Sequence, residues 1–242
     1  MTGPLHDTVT VTARRADYGA VRLGRRDVNG LLLCAEQYAA PYDLLADALG
    51  VAPARLRGVV ARWRRAGFAA TGRIDAGPAW CWLTPAGMRA AGLGYPPGRP
   101  PLARLAHIRA VLAARLWFQD APAWHDGQAW WHSERRIRAA RPGVGTGHLP
   151  DAEIHWPSLP SSPYAGQVWA IEVELTPKPA ARTGRIMTGR LTPQYAQVIY
   201  LCAPAARLVV TRTAASLPPD RQARVTVRDL PPTALTPEEP PP

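Results

Sequence analysis

The chain has 242 residues, 47% of them hydrophobic, and it carries 29 basic against 18 acidic residues, which gives a formal net charge of +11. This length suits one large domain or two small ones, and the hydrophobic content excludes wholesale disorder. The basic excess favours a polyanionic partner such as nucleic acid, with a solvated basic surface as the alternative. The chain has three widely spaced cysteines, and it lacks a secretory pattern and any apolar run long enough to cross a bilayer. We therefore expect a cytoplasmic protein without a membrane partner.

Residues 1–26 predict a short N-terminal arm, and the next stretch has the pattern of a small helical domain with one hairpin. Its predicted elements are a helix capped by Asp27, helices Tyr42–Leu49 and Ala54–Ala66, strands Phe68–Ile74 and Ala79–Leu83, and a helix from Thr84. Gly50 lies in the short link between the second and third helices, as a tight helix-turn-helix link requires. This order resembles winged helix-turn-helix DNA-binding domains and sets the first domain at 27–93. A helical bundle packed on the second half is the alternative.

The third helix has an apolar side and an arginine-rich polar side. The arginines predicted to contact DNA phosphates are Arg55, Arg57, Arg62, Arg64 and Arg65. The predicted partner of this helix is double-stranded DNA.

The proline- and glycine-rich stretch 94–101 predicts a linker. Helical and strand patterns then alternate over 102–217, which indicates an α/β second domain. It begins with a helix over Leu102–Phe118, and its last two predicted strands are Tyr195–Cys202 and Arg207–Thr213. The Pro-rich tail, 218–242, is expected to be largely disordered.

Acidic residues recur on two predicted strands of this second domain. Asp151 begins one strand, while Glu172 and Glu174 share a face of the next. Carboxylates that close together repel unless a cation lies between them, and carboxylate oxygens are ligands that Mg²⁺ prefers. Asp151 and Glu172 are therefore predicted to bind Mg²⁺, with Mn²⁺ as a substitute.

These acids, together with Lys178, resemble a variant of the PD-(D/E)xK nuclease core, which implies a restriction-endonuclease-like α/β domain. The resemblance implies that Asp151 and Glu172 hold the metal, that Lys178 assists the attacking water, and that Glu134 joins from a helix. The position of the lysine in the motif is occupied here by Glu174, and Lys178 lies four residues further on. Whether Lys178 reaches the site is left open.

The complete arrangement resembles the replication-relaxation family of plasmids and integrative elements, through His107, Trp131-x-Ser133-Glu134, 148–152 and 170–178. The resemblance implies a DNA-binding protein that acts in plasmid or mobile-element replication or DNA relaxation. Two alternatives stay open. One is a Mg²⁺-dependent endonuclease or nickase. The other is a non-catalytic regulator whose nuclease-like domain serves homodimerisation or docking.

Several of these residues also have a plainer interpretation. Glu172 and Glu174 can form the wet face of an edge strand that pairs with Arg182 and Arg185. Glu134 can pair with Arg138 one helical turn away. His148 and His155 flank Asp151 and invite a zinc interpretation, but no Cys or His pair with ligand spacing supports it, so polar loop histidines are favoured.

Overall fold

A computed structural model describes residues 22–141, 149–160 and 162–235. The chain has a mixed α/β fold with two sheets, and it divides into two compact units at residues 1–100 and 101–242. The division falls inside the predicted linker 94–101. Predictions for residues 1–21 of the arm, for His148 and for residues 236–242 of the tail lie outside the described residues. Among the described helices, none combines the length and apolar character that crossing a membrane requires.

Within its described residues, 22–100, the first unit has four helices and a small antiparallel sheet of strand order β1-β3-β2. Its elements are α1 Arg25–Glu36, β1 Ala40–Pro41, α2 Tyr42–Leu49, α3 Pro53–Arg65, β2 Ala69–Gly72, β3 Trp80–Leu83 and α4 Pro85–Ala90. The sequence predicted Asp27 as the cap of the first helix. In the structure α1 begins at Arg25, Gly24 is its N-cap, and Asp27 lies in its first turn. Strand β1 is too short to give an alternating pattern in the sequence.

Two glycines fix the position of α3 in the first unit. A Cβ on Gly30 of α1 would lie 2.4 Å from the ring of Trp63 on α3, so only glycine allows this contact. The link from α2 to α3 turns at Gly50, whose φ of 59° lies in the left-handed region that favours glycine. The placement of α1, α2 and α3 therefore depends on glycine at both places.

The second unit contains a mixed sheet of strand order β4-β5-β6-β7-β8. Its elements are α5 Leu105–Gln119, α6 Pro122–Asp126, β4 Trp130–Ser133, α7 Glu134–Ala140, β5 Ala152–His155, β6 Val168–Glu174, α8 Ala180–Arg190, β7 Gln197–Cys202, α9 Pro204–Ala215, α10 Pro219–Gln222 and β8 Val225–Asp229. Strands β4, β5 and β6 pair antiparallel, whereas β7 and β8 continue the sheet in parallel.

Helices α8 and α9 cover one face of this sheet. Met187 of α8 and Val210 of α9 pack against Ala170 of β6 and against Val198 and Tyr200 of β7. Glu172 and Glu174 alternate with buried apolar residues along β6 and share the face of Ala170. The acidic pair therefore lies on the helix-covered face of an interior strand.

The structure contradicts two predictions about the C-terminal part of the chain. Residues 207–213, predicted as a strand, lie in α9, because parallel strands β7 and β8 need a crossover connection between them. Part of the tail predicted to be disordered forms β8, which pairs with β7 along residues 225–229. The predicted helix after Lys178 is confirmed as α8.

Candidate functional site

Helix α3 presents a cationic surface in the first unit. Its buried side consists of Leu56, Val59, Val60 and Trp63, which repeat at helical spacing. The predicted DNA contacts Arg55, Arg57, Arg64 and Arg65 are all exposed on the remaining surface. Gly58 also lies on this side with open space around it, so the backbone there is accessible to a bulky ligand.

Arg62, the fifth predicted DNA contact, is instead half-buried and ion-paired with Asp27 of α1. Oδ1 of Asp27 also accepts a hydrogen bond of 2.7 Å from Nε1 of Trp63, and Oδ2 accepts one of 3.0 Å from the amide of Gly24. Burial alone would raise the pKa of Asp27, but these donors outweigh it and leave the pKa lowered. Arg62 is therefore engaged in holding α1 against α3.

A shallow groove lies beside the arginine-rich surface. It is lined by Arg64 and Arg65 of α3 and by Ala69, Ala70 and Thr71 of β2. Just beyond β2 lies Arg73, which is exposed and was not singled out from the sequence. Two basic side chains thus border a groove of small residues, and a third arginine lies at the entrance to the hairpin turn.

The acids of the second unit are brought together as predicted, because β5 and β6 are neighbours. Ala152 lies opposite Ile171, so Asp151 immediately precedes the strand at the level of Glu172. Oδ2 of Asp151 accepts a hydrogen bond of 2.8 Å from the amide of Val173, and Oδ1 lies 2.9 Å from Nε2 of His107 on α5. Both carboxylate oxygens of Asp151 are thus engaged within the chain.

Glu172 is ion-paired with Arg190, the last residue of α8, and both side chains are buried. Burial and the charge of Asp151 raise the pKa of Glu172, while Arg190 opposes the rise. The expectation that Glu172 lies on a wet edge strand and pairs with Arg182 or Arg185 is wrong. Strand β6 is an interior strand, and the arginine at the far end of α8 is the one that reaches the carboxylate.

Glu174 and Lys178 form the next pair along the same face. Nζ of Lys178 donates to Oε1 of Glu174 at 2.5 Å, and Glu174 is 5% exposed. Lys178 therefore reaches the acidic cluster, and its partner there is Glu174. Glu174 is also the residue at the position where the PD-(D/E)xK motif has its lysine.

Glu134 is placed near Asp151 by the backbone, since its amide donates to the carbonyl of Asp151 at 3.1 Å. Its carboxylate accepts hydrogen bonds from Arg104 at 3.1 Å and from Arg138 at 2.6 Å. Burial would raise its pKa, but these two arginines leave the pKa lowered. The predicted pairing with Arg138 is confirmed, and Glu134 is turned towards arginines.

The carboxylates near Asp151 can be tested as ligands of the predicted Mg²⁺ from the charges that already surround them. Three carboxylates from Asp151, Glu172 and Glu174 are the right ligand type. Each already has a basic partner, namely His107, Arg190 and Lys178 respectively. The protein's own cations offset the like-charge repulsion that motivated the prediction, so this arrangement does not fit a bound Mg²⁺.

A second polar group on the sheet was not predicted. His132 of β4 lies opposite Glu153 of β5, and His155 follows Glu153 two residues later on the same face. One ligand atom from each of these three residues lies within 4.8 Å of the other two. Burial, followed by the neighbouring His155, lowers the pKa of His132 to about 4, so this imidazole is neutral at neutral pH.

Two further side chains support Glu153. Its Oε1 accepts hydrogen bonds from the hydroxyl of Tyr195 at 2.5 Å and from Arg141 at 2.9 Å, and its Oε2 lies 2.9 Å from Nε2 of His155. Sequence reasoning weighed His155 only with His148. The true neighbour, His132, lies 23 positions before His155 and is brought close by the β4–β5 register, which local spacing does not reveal.

No protein-family model matches the chain, and no curated protein matches it significantly.

Proposed function

We propose that the protein binds duplex DNA through its first unit and acts in the replication or relaxation of plasmid or mobile-element DNA. The observation that carries the proposal is the exposed row of Arg55, Arg57, Arg64 and Arg65 on α3. Helix-turn-helix proteins dock a helix that follows a tight turn into the major groove and contact the flanking phosphates. Helix α3 follows such a turn, and the β2–β3 hairpin provides the wing that the resemblance implies.

The second unit supports the same resemblance through its acids, which lie at neighbouring strands β5 and β6. We infer that this unit acts as a regulatory or docking module without cutting DNA. The reason is the buried ion pair of Glu172 with Arg190, together with the pairing of Glu174 with Lys178. Phosphodiester hydrolysis needs a metal or an equivalent group to polarise the phosphoryl oxygen, and these carboxylates are engaged by side chains.

A salt titration tests the DNA-binding proposal. The variant Arg57→Ala/Arg64→Ala removes two exposed arginines seven residues apart, while Arg62 stays in place to hold Asp27. Fluorescence anisotropy with a labelled duplex should show weaker binding and a salt slope lower by about 2, since each phosphate contact contributes about 1. Arg212→Ala/Arg221→Ala removes the same charge from exposed positions in the second unit and serves as the control. Equal slopes for all three proteins would overturn the proposal.

One observation favours Mg²⁺-dependent cleavage as a second candidate function. Asp151 lies at the level of Glu172, immediately before the neighbouring strand, and burial followed by the charge of Asp151 raises the pKa of Glu172, as expected when two carboxylates share one site. Nicking of supercoiled plasmid with and without Mg²⁺ or Mn²⁺ separates the two candidates. Metal-dependent nicking that Asp151→Asn abolishes would establish the nuclease. A protein that binds the plasmid and leaves it supercoiled with either metal supports the regulator.

A further inference from the structure

The group formed by His132, Glu153 and His155 has the composition of a transition-metal site. Two imidazoles and one carboxylate are the protein ligands of several catalytic zinc sites and of the non-haem iron facial triad. All three side chains project from the same face of the paired strands β4 and β5, so regular backbone holds their spacing. This group lies beside the acidic cluster, because Glu153 is two residues from Asp151 and shares the sheet face of Glu172. No step in the proposed function uses it.

The spacing of the ligand atoms suits a single ion. Two ligands bound at about 2.1 Å in a tetrahedral site lie roughly 3.4 Å apart. Nε2 of His155 and Oε2 of Glu153 are 2.9 Å apart, and one nitrogen of His132 lies within 4.8 Å of both partners. The imidazole rings of His132 and His155 have centroids 3.9 Å apart. The three ligand atoms are thus close enough to surround one ion after rotation of their side chains.

An unsatisfied atom points to a ligand as well. Within the described part of the chain, Nε2 of His132 is buried and has no hydrogen-bond partner. Buried polar atoms are seldom left in this state, because they lose water without replacing it. A metal ion bound at Nε2 would give this atom the partner that it lacks.

Two side chains around the group hold Glu153 in place, as residues that hydrogen-bond to metal ligands do. Tyr195 and Arg141 both donate to Oε1 of Glu153, which leaves Oε2 directed at His155. Hydrogen bonds of this kind fix the orientation of a ligating carboxylate and tune its affinity. Arg141 offsets part of the charge of Glu153. The mixed nitrogen and oxygen donors still favour Zn²⁺ and similar divalent transition ions over Mg²⁺, because the two imidazoles are themselves metal ligands.

We propose that His132, Glu153 and His155 bind one divalent transition-metal ion, with Zn²⁺ as the first candidate. Three protein ligands leave a fourth position for water or a substrate atom, as in catalytic zinc sites. Tyr195 and Arg141 are positioning residues that act through Glu153. The proposal goes beyond DNA binding and stands independently of it.

Metal titration of the full chain tests this proposal. Protein stripped with a chelator is titrated with Zn²⁺ by calorimetry and with Co²⁺ by visible absorption, whose intensity reports tetrahedral coordination. We expect one ion per chain, and a loss of affinity of about 100-fold or more in His132→Asn and Glu153→Gln. Tyr195→Phe keeps all three ligands and should lose about 10-fold, as outer-shell variants do.

His125→Asn is the matched control, because His125 is exposed and lies outside the group. It should bind Zn²⁺ like the unaltered chain. Should Glu153→Gln fail to fold, His132→Asn still decides the matter, since Nε2 of His132 has no hydrogen-bond partner among the described residues for the substitution to break. Full Zn²⁺ affinity in His132→Asn, or the absence of stoichiometric binding of both Zn²⁺ and Co²⁺ to the unaltered chain, would overturn the proposal.

Discussion

The carboxylate of Glu172, in an interior strand, accepts a hydrogen bond from the guanidinium of Arg190 at the far end of the following helix. Both side chains are buried, so the ion pair replaces part of the solvation that each has lost. Removing one partner of such a pair leaves an uncompensated buried charge and typically costs about 3–5 kcal/mol. This pair joins α8 to β6 and holds the carboxylate expected to bind metal.

Arg190→Met should therefore lower the free energy of unfolding by about 3 kcal/mol or more. Adding Glu172→Gln to that variant should recover part of the loss, because a neutral amide is cheaper to bury than a carboxylate. Denaturant unfolding, combined with amide hydrogen exchange of peptides from α8 and β6, measures both effects. Unchanged protection in Arg190→Met would contradict the assigned role of the pair.

The pair of Arg207 and Asp229 is the exposed counterpart and should behave differently. Nη1 of Arg207 lies 2.7 Å from Oδ1 of Asp229, yet the two side chains are 49% and 62% exposed. Exposed ion pairs contribute about 0–1 kcal/mol and are weakened by salt. Asp229→Asn should therefore change the free energy of unfolding by less than about 1 kcal/mol, as measured in the same denaturant experiment. A loss as large as that of Arg190→Met would show that exposure does not separate the two pairs.

Local sequence patterns predicted much of the fold, since they report on elements that bury one face. The helices of the first unit and the neighbouring acidic strands follow from such periodicity. The prediction from local pattern was wrong for residues 207–213. Their run of β-branched residues favours a strand, whereas the parallel crossover requires a helix. The pairings of Glu172 with Arg190 and of His132 with Glu153 depend on long-range packing and strand register, which no local spacing encodes.

Two helical glycines should respond in opposite ways to the same substitution. A Cβ at Gly58 on α3 meets open space, whereas a Cβ at Gly30 on α1 would lie 2.4 Å from the ring of Trp63. Gly58→Ala should stabilise the first unit by about 0.5–1 kcal/mol through helix propensity. Gly30→Ala should destabilise it by about 1–3 kcal/mol, because α1 and α3 are forced apart. Hydrogen exchange of α1 and α3 peptides measures both shifts, and a gain in protection in Gly30→Ala would refute the close approach.

Asp27 should make the stability of the first unit depend on pH in the acidic range. Its carboxylate accepts hydrogen bonds from Gly24, Arg62 and Trp63, and its folded-state pKa is lowered. A carboxylate with a lowered folded pKa contributes stability that is fully present above the unfolded pKa of about 3.9. That contribution is lost as the pH falls through the folded pKa, because the native state must then take up a proton.

Asp27→Asn removes the charge and keeps an oxygen acceptor for Trp63. It should lower the free energy of unfolding by about 1–2 kcal/mol at neutral pH, because the hydrogen bonds from Arg62 and the other donors become weaker. The gap between the two proteins should stay constant from pH 7 to about pH 5 and shrink below the unfolded pKa of about 3.9. Denaturant unfolding at a series of pH values, read through hydrogen exchange of α1 and α3 peptides, gives this gap directly. Asp47→Asn, on α2, serves as the control for general acid effects because its exposed side chain lies outside this network. A gap that widens on acidification would reverse the sign of the linkage and refute the stabilising role of Asp27.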